Sequence, residues 1–244
     1  MTDVHKRAYV GGIRGVRAGL SATGLMDRLD RWAAESRQGL WVRSWFAVHD
    51  LDDMVRLKVP WWTFAAADVV AAHLVSRPGA RVLEWGSGSS TLWLADRAAS
   101  VDSIEHDPAW AESMRPRLPD HVTLHVVPPV PDPDPGTPSG KRGFERLDFT
   151  DYVAAADGLP GTFDLVVVDG RAREACLDRA ADRLAPEGLV VVDNVDRARY
   201  RTAIADLASR LVDRRGSRVE VTWTRGLTPS LPYPTRTALL RVRP

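Results

Sequence analysis

From Ala80 onward, short apolar runs alternate with amphipathic stretches, the pattern of an open α/β sheet. The runs predict strands at Arg81–Trp85, Val101–Glu105, Val122–Val127, Phe163–Asp169, Leu189–Asp193, Arg218–Thr222 and Arg236–Val242. Helices are expected between them near Ser90–Arg97, Pro108–Leu118, Phe149–Ala156, Arg171–Leu184 and Arg197–Arg214. Only a turn-rich segment through Gly226, Pro229, Pro232 and Pro234 separates the last two strands, which predicts a hairpin and an antiparallel last strand. The expected architecture is a Rossmann-like, seven-stranded, mostly parallel sheet with helices on both faces.

Upstream, Leu25, Met26, Leu29, Trp32, Ala33, Leu40, Trp41 and Trp45 recur at helical spacing. A further helix is expected from Trp61 to Val75, with Pro60 at its first turn and Pro78-Gly79 ending it. Residues 1–20 show no sustained period and read as a solvated tail. The chain therefore divides into a tail and helical extension, 1–59, and an α/β domain, 60–244. Six prolines between Pro128 and Pro138 predict an extended loop after the third strand, near the expected ligand edge, and a lid is one role for it.

Composition narrows the function classes. At 44% hydrophobic and 27% charged residues the 244-residue chain has an ordinary globular make-up, and no apolar run approaches the ~18 residues of a membrane span. The single cysteine, Cys176, forms no internal disulfide and fits a reducing, cytoplasmic setting. A net charge of +1 supplies no broad positive field for nucleic acid. A small-molecule partner is expected instead, with no membrane contact.

Two segments carry candidate chemistry. In Val82-Leu83-Glu84-Trp85-Gly86-Ser87-Gly88-Ser89-Ser90-Thr91 a strand runs into a helix through a turn where glycines admit a ligand to the backbone. Glu105 closes the next strand, where a carboxylate can accept hydrogen bonds from both ribose hydroxyls. Together they outline a nucleoside pocket from Glu84, Gly86, Ser87, Gly88, Ser89, Ser90 and Glu105, with His106 placed toward the base. A nicotinamide cofactor fits less well. The Gly86-x-Gly88-x-x-Thr91 spacing lacks the third glycine of the dinucleotide fingerprint, and the acid at Glu84 suits an ammonium better than a phosphate.

This arrangement, with the terminal hairpin, resembles the class I S-adenosylmethionine (SAM) methyltransferases over roughly residues 60–244. The resemblance implies that Glu84, Gly86 and Gly88 hold the methionine part of SAM and Glu105 its ribose.

The second segment is acidic. Asp169 ends the fourth strand, and Asp193 and Asn194 end the fifth, so three oxygen-bearing side chains reach one sheet edge. Oxygen ligands suit Mg²⁺. The set is similar to the catechol O-methyltransferase branch, which implies a metal held by Asp169, Asp193 and Asn194 that activates an acceptor hydroxyl, with Asp169 catalytic. One departure is clear. Where those enzymes carry a lysine base this chain has Ala172, flanked by Arg171 and Arg173, which stay protonated and suit an anionic acceptor. Asp193-Asn194 equally fits a helix cap, and Asp169 equally fits a contact with the sulfonium end of SAM in a metal-free enzyme.

Trp41, Trp45, Trp61 and Trp62 read either as acceptor-site walls or as helical core, and Tyr233 as an acceptor-site residue. The apolar helices before the first strand fit an acceptor cover or the contact of a homodimer. The leading expectation is methyl transfer to a small-molecule hydroxyl with Mg²⁺ assistance; a metal-independent N-, O- or C-methyltransferase and a SAM-binding protein without catalysis are the alternatives.

Overall fold

Val166, Val168, Val190 and Val192 pack against one group of helices, while Leu165, Val167, Leu189 and Val191 pack against another. Strands covered on both faces lose the apolar-polar alternation of half-exposed strands, which explains the unbroken valine runs. Each such side chain withdrawn from water stabilises the fold by roughly 1.5–3 kcal/mol relative to an exposed one.

The computed structural model describes Gly12 and residues 15–47, 50–215 and 218–243. Most of the expected tail lies outside them. Residues 15–22 are helical, although the sequence through residue 20 reads as a tail, and four helices follow: α1 (Leu25–Glu35), α2 (Arg37–Ser44), α3 (Leu51–Leu57) and α4 (Phe64–Val75). Then follow β1 (Arg81–Trp85), α5 (Ser89–Ala95), β2 (Ser100–Glu105), α6 (Pro108–Met114) and β3 (Val122–Val126). A two-residue pair, β4 (Val130–Pro131) and β5 (Leu147–Asp148), precedes α7 (Thr150–Ala154), β6 (Phe163–Val168), α8 (Arg173–Arg183), β7 (Leu184–Asp193) and α9 (Ala198–Arg215). The hairpin β8 (Arg218–Gly226) and β9 (Thr235–Arg243) ends the chain.

The main sheet has seven strands in the order β3-β2-β1-β6-β7-β9-β8, parallel from β3 to β7, with β9 antiparallel to both β7 and β8. The order reverses between β1 and β6, so the carboxyl ends of β1, β2, β6 and β7 share the edge where open α/β sheets bind ligands.

Several elements differ from the sequence expectation, two at a boundary and one in its existence among them. The fourth helix starts at Phe64, because the Thr63 side chain accepts the Ala66 N–H and caps it there, leaving Pro60 to Trp62 outside. Strand β7 begins at Leu184, but its pairing jumps from Phe163↔Leu184 to Leu165↔Leu189, so regular register starts where the valine run does. Helix α3 was not anticipated; Asp50 caps it by accepting the Asp53 N–H.

The extension is tied to the hairpin. Arg43, fully buried, forms a bidentate pair with Asp53 at 2.7 and 2.5 Å and donates through Nε to Asp30 at 2.5 Å. Beside it the Ser44 hydroxyl accepts the Ser230 N–H at 2.7 Å, and the Trp41 indole donates to the Leu231 carbonyl at 2.8 Å. The proline-rich loop is ordered by Asp148, whose Oδ2 accepts the N–H groups of Gly136 and Thr137 at 2.6 and 3.2 Å.

Candidate active site

The turn after β1 is shaped by steric necessity. Gly86 has φ of 100°, and a Cβ there would lie 2.7 Å from the Cα of Gly170 at the end of β6. Gly88 is the opposite case: its backbone is extended and nothing lies within 4 Å of where its Cβ would be. The first glycine thus closes β1 onto β6, and the second keeps an open approach to the backbone, the opening a cofactor needs.

Glu84 points from β1 into the face lined by α5 and is fully buried. It accepts hydrogen bonds from Ser90 at 2.5 Å, Thr91 at 2.6 Å and Ser103 at 2.9 Å. Burial pushes its pKa up to about 7 against the pull of these hydroxyls. In this state Glu84 organises the start of α5 from within. The Ser89 hydroxyl likewise turns inward, donating to the Val59 carbonyl at 2.7 Å.

Glu105 is positioned differently. At the end of β2 its Oε2 accepts from the N–H and hydroxyl of Ser87 at 2.9 and 2.8 Å, and its Oε1 accepts from the N–H groups of His106 and Asp107, both at 2.8 Å. Burial alone would raise its pKa, but His106, the Asp107 N–H and Ser87 together hold it below the ordinary glutamate value. His106 Nδ1 lies 2.7 Å from Oε1, close enough for an ion pair but without hydrogen-bond alignment. The His106 ring sits about 6 Å from those of Phe144, Phe149 and Tyr152, an aromatic group suited to a flat base. Trp110 braces the turn by donating to the Ser87 carbonyl at 2.9 Å. Phe144 and Trp110 were not singled out from the sequence; no spacing relates them to the glycine turn.

Asp169 and Asp193 do meet at the edge, with a guanidinium against them. Arg173 donates from Nη2 to Asp169 Oδ1 at 2.9 Å and to the Asp169 carbonyl at 3.0 Å, from Nε to the Gly170 carbonyl at 3.1 Å, and from Nη1 to the Asp193 carbonyl. Asp193 accepts from Thr237 at 2.7 Å on one oxygen and from the Asn194 amide on the other. Its pKa is pushed up to about 8 by burial and by the neighbouring Asp169 charge, against Arg173. Asp169 is raised by burial, which Arg173 opposes. Burial thus holds both carboxyls above the ordinary aspartate range, and Arg173 is the cation that opposes it at each.

This donor set does not suit a divalent metal. Three of the four carboxylate oxygens already accept hydrogen bonds, and the Asn194 side chain is exposed, donating its amide to Asp193. Among the described residues no cluster of three or more His, Cys, Asp or Glu side chains has metal-binding geometry.

The tryptophans mostly pack. Trp62 is fully buried and edge-on to Trp93 at 5.9 Å, with its indole N–H beside Asp169 but not completing a hydrogen bond. Trp41 and Trp45 stack edge-on at 4.6 Å. A cavity of about 620 Å³ does open at the edge, between Arg171, Asn194, Tyr200 and Tyr233, beneath Ser139 to Lys141 of the proline-rich loop. Tyr233 lines this cavity, and the tryptophans are absent from its described lining.

Residues 83–195 match a family model described as a methyltransferase domain. Among solved structures, the chain is 22% identical to the O-methyltransferase TomG from Streptomyces achromogenes, involved in tomaymycin synthesis and crystallised with SAM; the match has a TM-score of 0.52 and covers 86% of this chain and 100% of that one. Cofactor-bound Rv0187 from MTB is also 22% identical, at a TM-score of 0.50, over 81% of this chain and 89% of that one. A search of curated proteins finds no match. Among the described residues no helix is long and apolar enough to cross a membrane. The stretch that carries Glu84, Glu105 and Asp169 thus matches a methyltransferase domain, and the chain shares its fold with SAM-bound methyltransferases.

Proposed function

We propose that the protein methylates a hydroxyl oxygen of a small molecule without a divalent metal, with Arg173 standing where the related metal-assisted enzymes place the cation. The observation that carries this reading is the Arg173 guanidinium on Asp169 and on the carbonyl end of β7. Bound SAM supplies an electrophilic methyl group on a sulfonium. Glu105 holds the ribose hydroxyls, displacing the Ser87 hydroxyl from its Oε2; Gly88 leaves room at the backbone, and His106 with Phe144 flanks the adenine. Ser87, Ser89 and Ser90 shape the turn, the last by fixing Glu84.

Asp169 is the residue at the reacting centre. Its side chain is 18% exposed at the edge, and Arg173 engages one of its oxygens. The other accepts the acceptor's hydroxyl hydrogen bond and, as the new O–CH₃ bond forms, its proton. Burial strengthens it as a base. Proximity carries the remainder of the catalysis, since alignment of the acceptor oxygen with the methyl group replaces a bimolecular encounter. The described O-methyltransferase neighbour agrees with oxygen as the acceptor atom.

The test is a turnover assay with SAM and a panel of hydroxylated small molecules, reading S-adenosylhomocysteine (SAH) release in EDTA and in Mg²⁺. Equal rates support the proposal. Activity lost in EDTA and restored by Mg²⁺ overturns it.

A further inference from the structure

Four segments converge on the cavity: the proline-rich loop, the start of α8, the start of α9 and the turn before β9. Five of its lining residues are cationic against two acids, Glu174 and Asp196. Both acids have partners already. Arg199 Nε lies 2.9 Å from Glu174, and Arg236 Nε lies 3.7 Å from Asp196. Arg173 is turned into the sheet edge.

Arg171 and Arg197 are different. Neither has a carboxylate within ion-pair distance among the described residues. Arg197 reaches only the Gly140 carbonyl, at 3.4 Å. Arg171 lies with its guanidinium 5.0 Å from the centre of the Phe144 ring, and its Nε is buried with no hydrogen-bond partner. The acids nearest to it, Glu105 and Asp169, are held by Ser87, His106 and Asp107 and by Arg173. A guanidinium cannot shed its proton, so leaving its Nε–H buried and unmet is costly. The fork matches a carboxylate or a phosphate.

Resting on the methyl-transfer reading above, we propose that the acceptor is a small anion, whose carboxylate or phosphate is clamped between Arg171 and Arg197 while its hydroxyl faces Asp169. The cavity volume lies within the range of small-ligand sites. The net charge of +1 offers no extended field for a polyanion.

The experiment uses the full chain saturated with SAH, titrated calorimetrically with inorganic phosphate, benzoate and benzamide, and repeated with Arg171→Gln and Arg197→Gln. Phosphate and benzoate are expected to bind and benzamide not, with each substitution weakening the anions at least tenfold while SAH affinity holds. Arg197 is exposed, so its variant reports even where the loss of Arg171 harms folding. Benzamide binding as well as benzoate, anions binding both variants as they do the parent, or anions competing with SAH would each overturn the proposal. So would a short single-stranded RNA that binds more tightly than phosphate and depends on the same arginines. Failure of SAH itself to bind sinks the methyltransferase reading, whereas the anion titration, repeated without SAH, still reports on the clamp.

Discussion

Replacing Arg173 with methionine tests the electrostatics of the sheet edge directly. The side chain is 11% exposed and supplies four hydrogen bonds, three to carbonyls and one to the Asp169 carboxylate. Methionine keeps much of the volume and none of the donors. Removing one partner of a buried ion pair costs about 3–5 kcal/mol. At about 2–4 °C per kcal/mol for a chain of this size, the melting temperature should fall by about 6–20 °C. The pH dependence carries the sharper signature. Without the guanidinium the folded-state pKa of Asp169 rises further, so the variant's deficit grows as pH rises and shrinks in acid, where Asp169 and Asp193 are both protonated. Urea unfolding of parent and variant at pH 5.5 and pH 8 measures this. Mg²⁺ should restore part of the lost stability in Arg173→Met, whose carboxylates are then uncovered, and leave the parent unmoved. A deficit under about 1 kcal/mol, or a parent that gains as much from Mg²⁺ as the variant, would refute the reasoning.

Three further outcomes are expected. Glu105→Gln should weaken SAH binding about ten- to hundredfold by calorimetry, the scale of a hydrogen bond to a charged group. Gly86→Ala should destabilise on the order of 3 kcal/mol, because a positive φ and a 2.7 Å clash with Gly170 act together; Gly88→Ala should leave the melting temperature nearly unchanged and weaken SAH instead, since open space surrounds it. Glu84 and Asp193 have folded pKa values raised to about 7 and about 8, so the stability they contribute is complete only below their ordinary values of 4.5 and 3.8 and is lost as pH rises from there through the raised values. The Glu84 share is about 3 kcal/mol, and a urea midpoint that falls between about pH 4.5 and pH 8 in the parent but less in Glu84→Gln would show it.

The strands and the acids at their ends were legible because burial on both faces leaves apolar runs, and a run ends where the ligand edge begins. Glu84, Glu105, Asp169 and Asp193 could therefore be placed on that edge from spacing alone. The direction of Arg173 could not. It depends on Ala172, which adopts a left-handed backbone with φ of 46° and turns the next side chain back across β6 and β7. Alanine gives no sign of that conformation, which costs it on the order of 1–2 kcal/mol. The tryptophans were ambiguous for a related reason. Helical spacing says that one face is buried, not against what, and Trp62 went to the sheet and Trp93 rather than to the cavity. The cap at Asp50 was readable in principle, as a carboxylate three residues before the Asp53 N–H, but lay in a stretch with no periodic run around it.

The bonds between the extension and the hairpin turn bear on how such a chain can be re-engineered. Ser44 and Trp41 hold Ser230 and Leu231, and the Phe64 N–H donates to the Leu227 carbonyl at 3.1 Å. Both partners lie outside the matched stretch of 83–195, one before it and one after. The turn that lends Tyr233 and Thr235 to the cavity and the extension that holds this turn are thus a single co-adapted unit written in two distant pieces of sequence. A chimera that imports a foreign turn before β9 to alter substrate choice must import the matching α2 as well, and one that exchanges either piece alone inherits a turn with no footing.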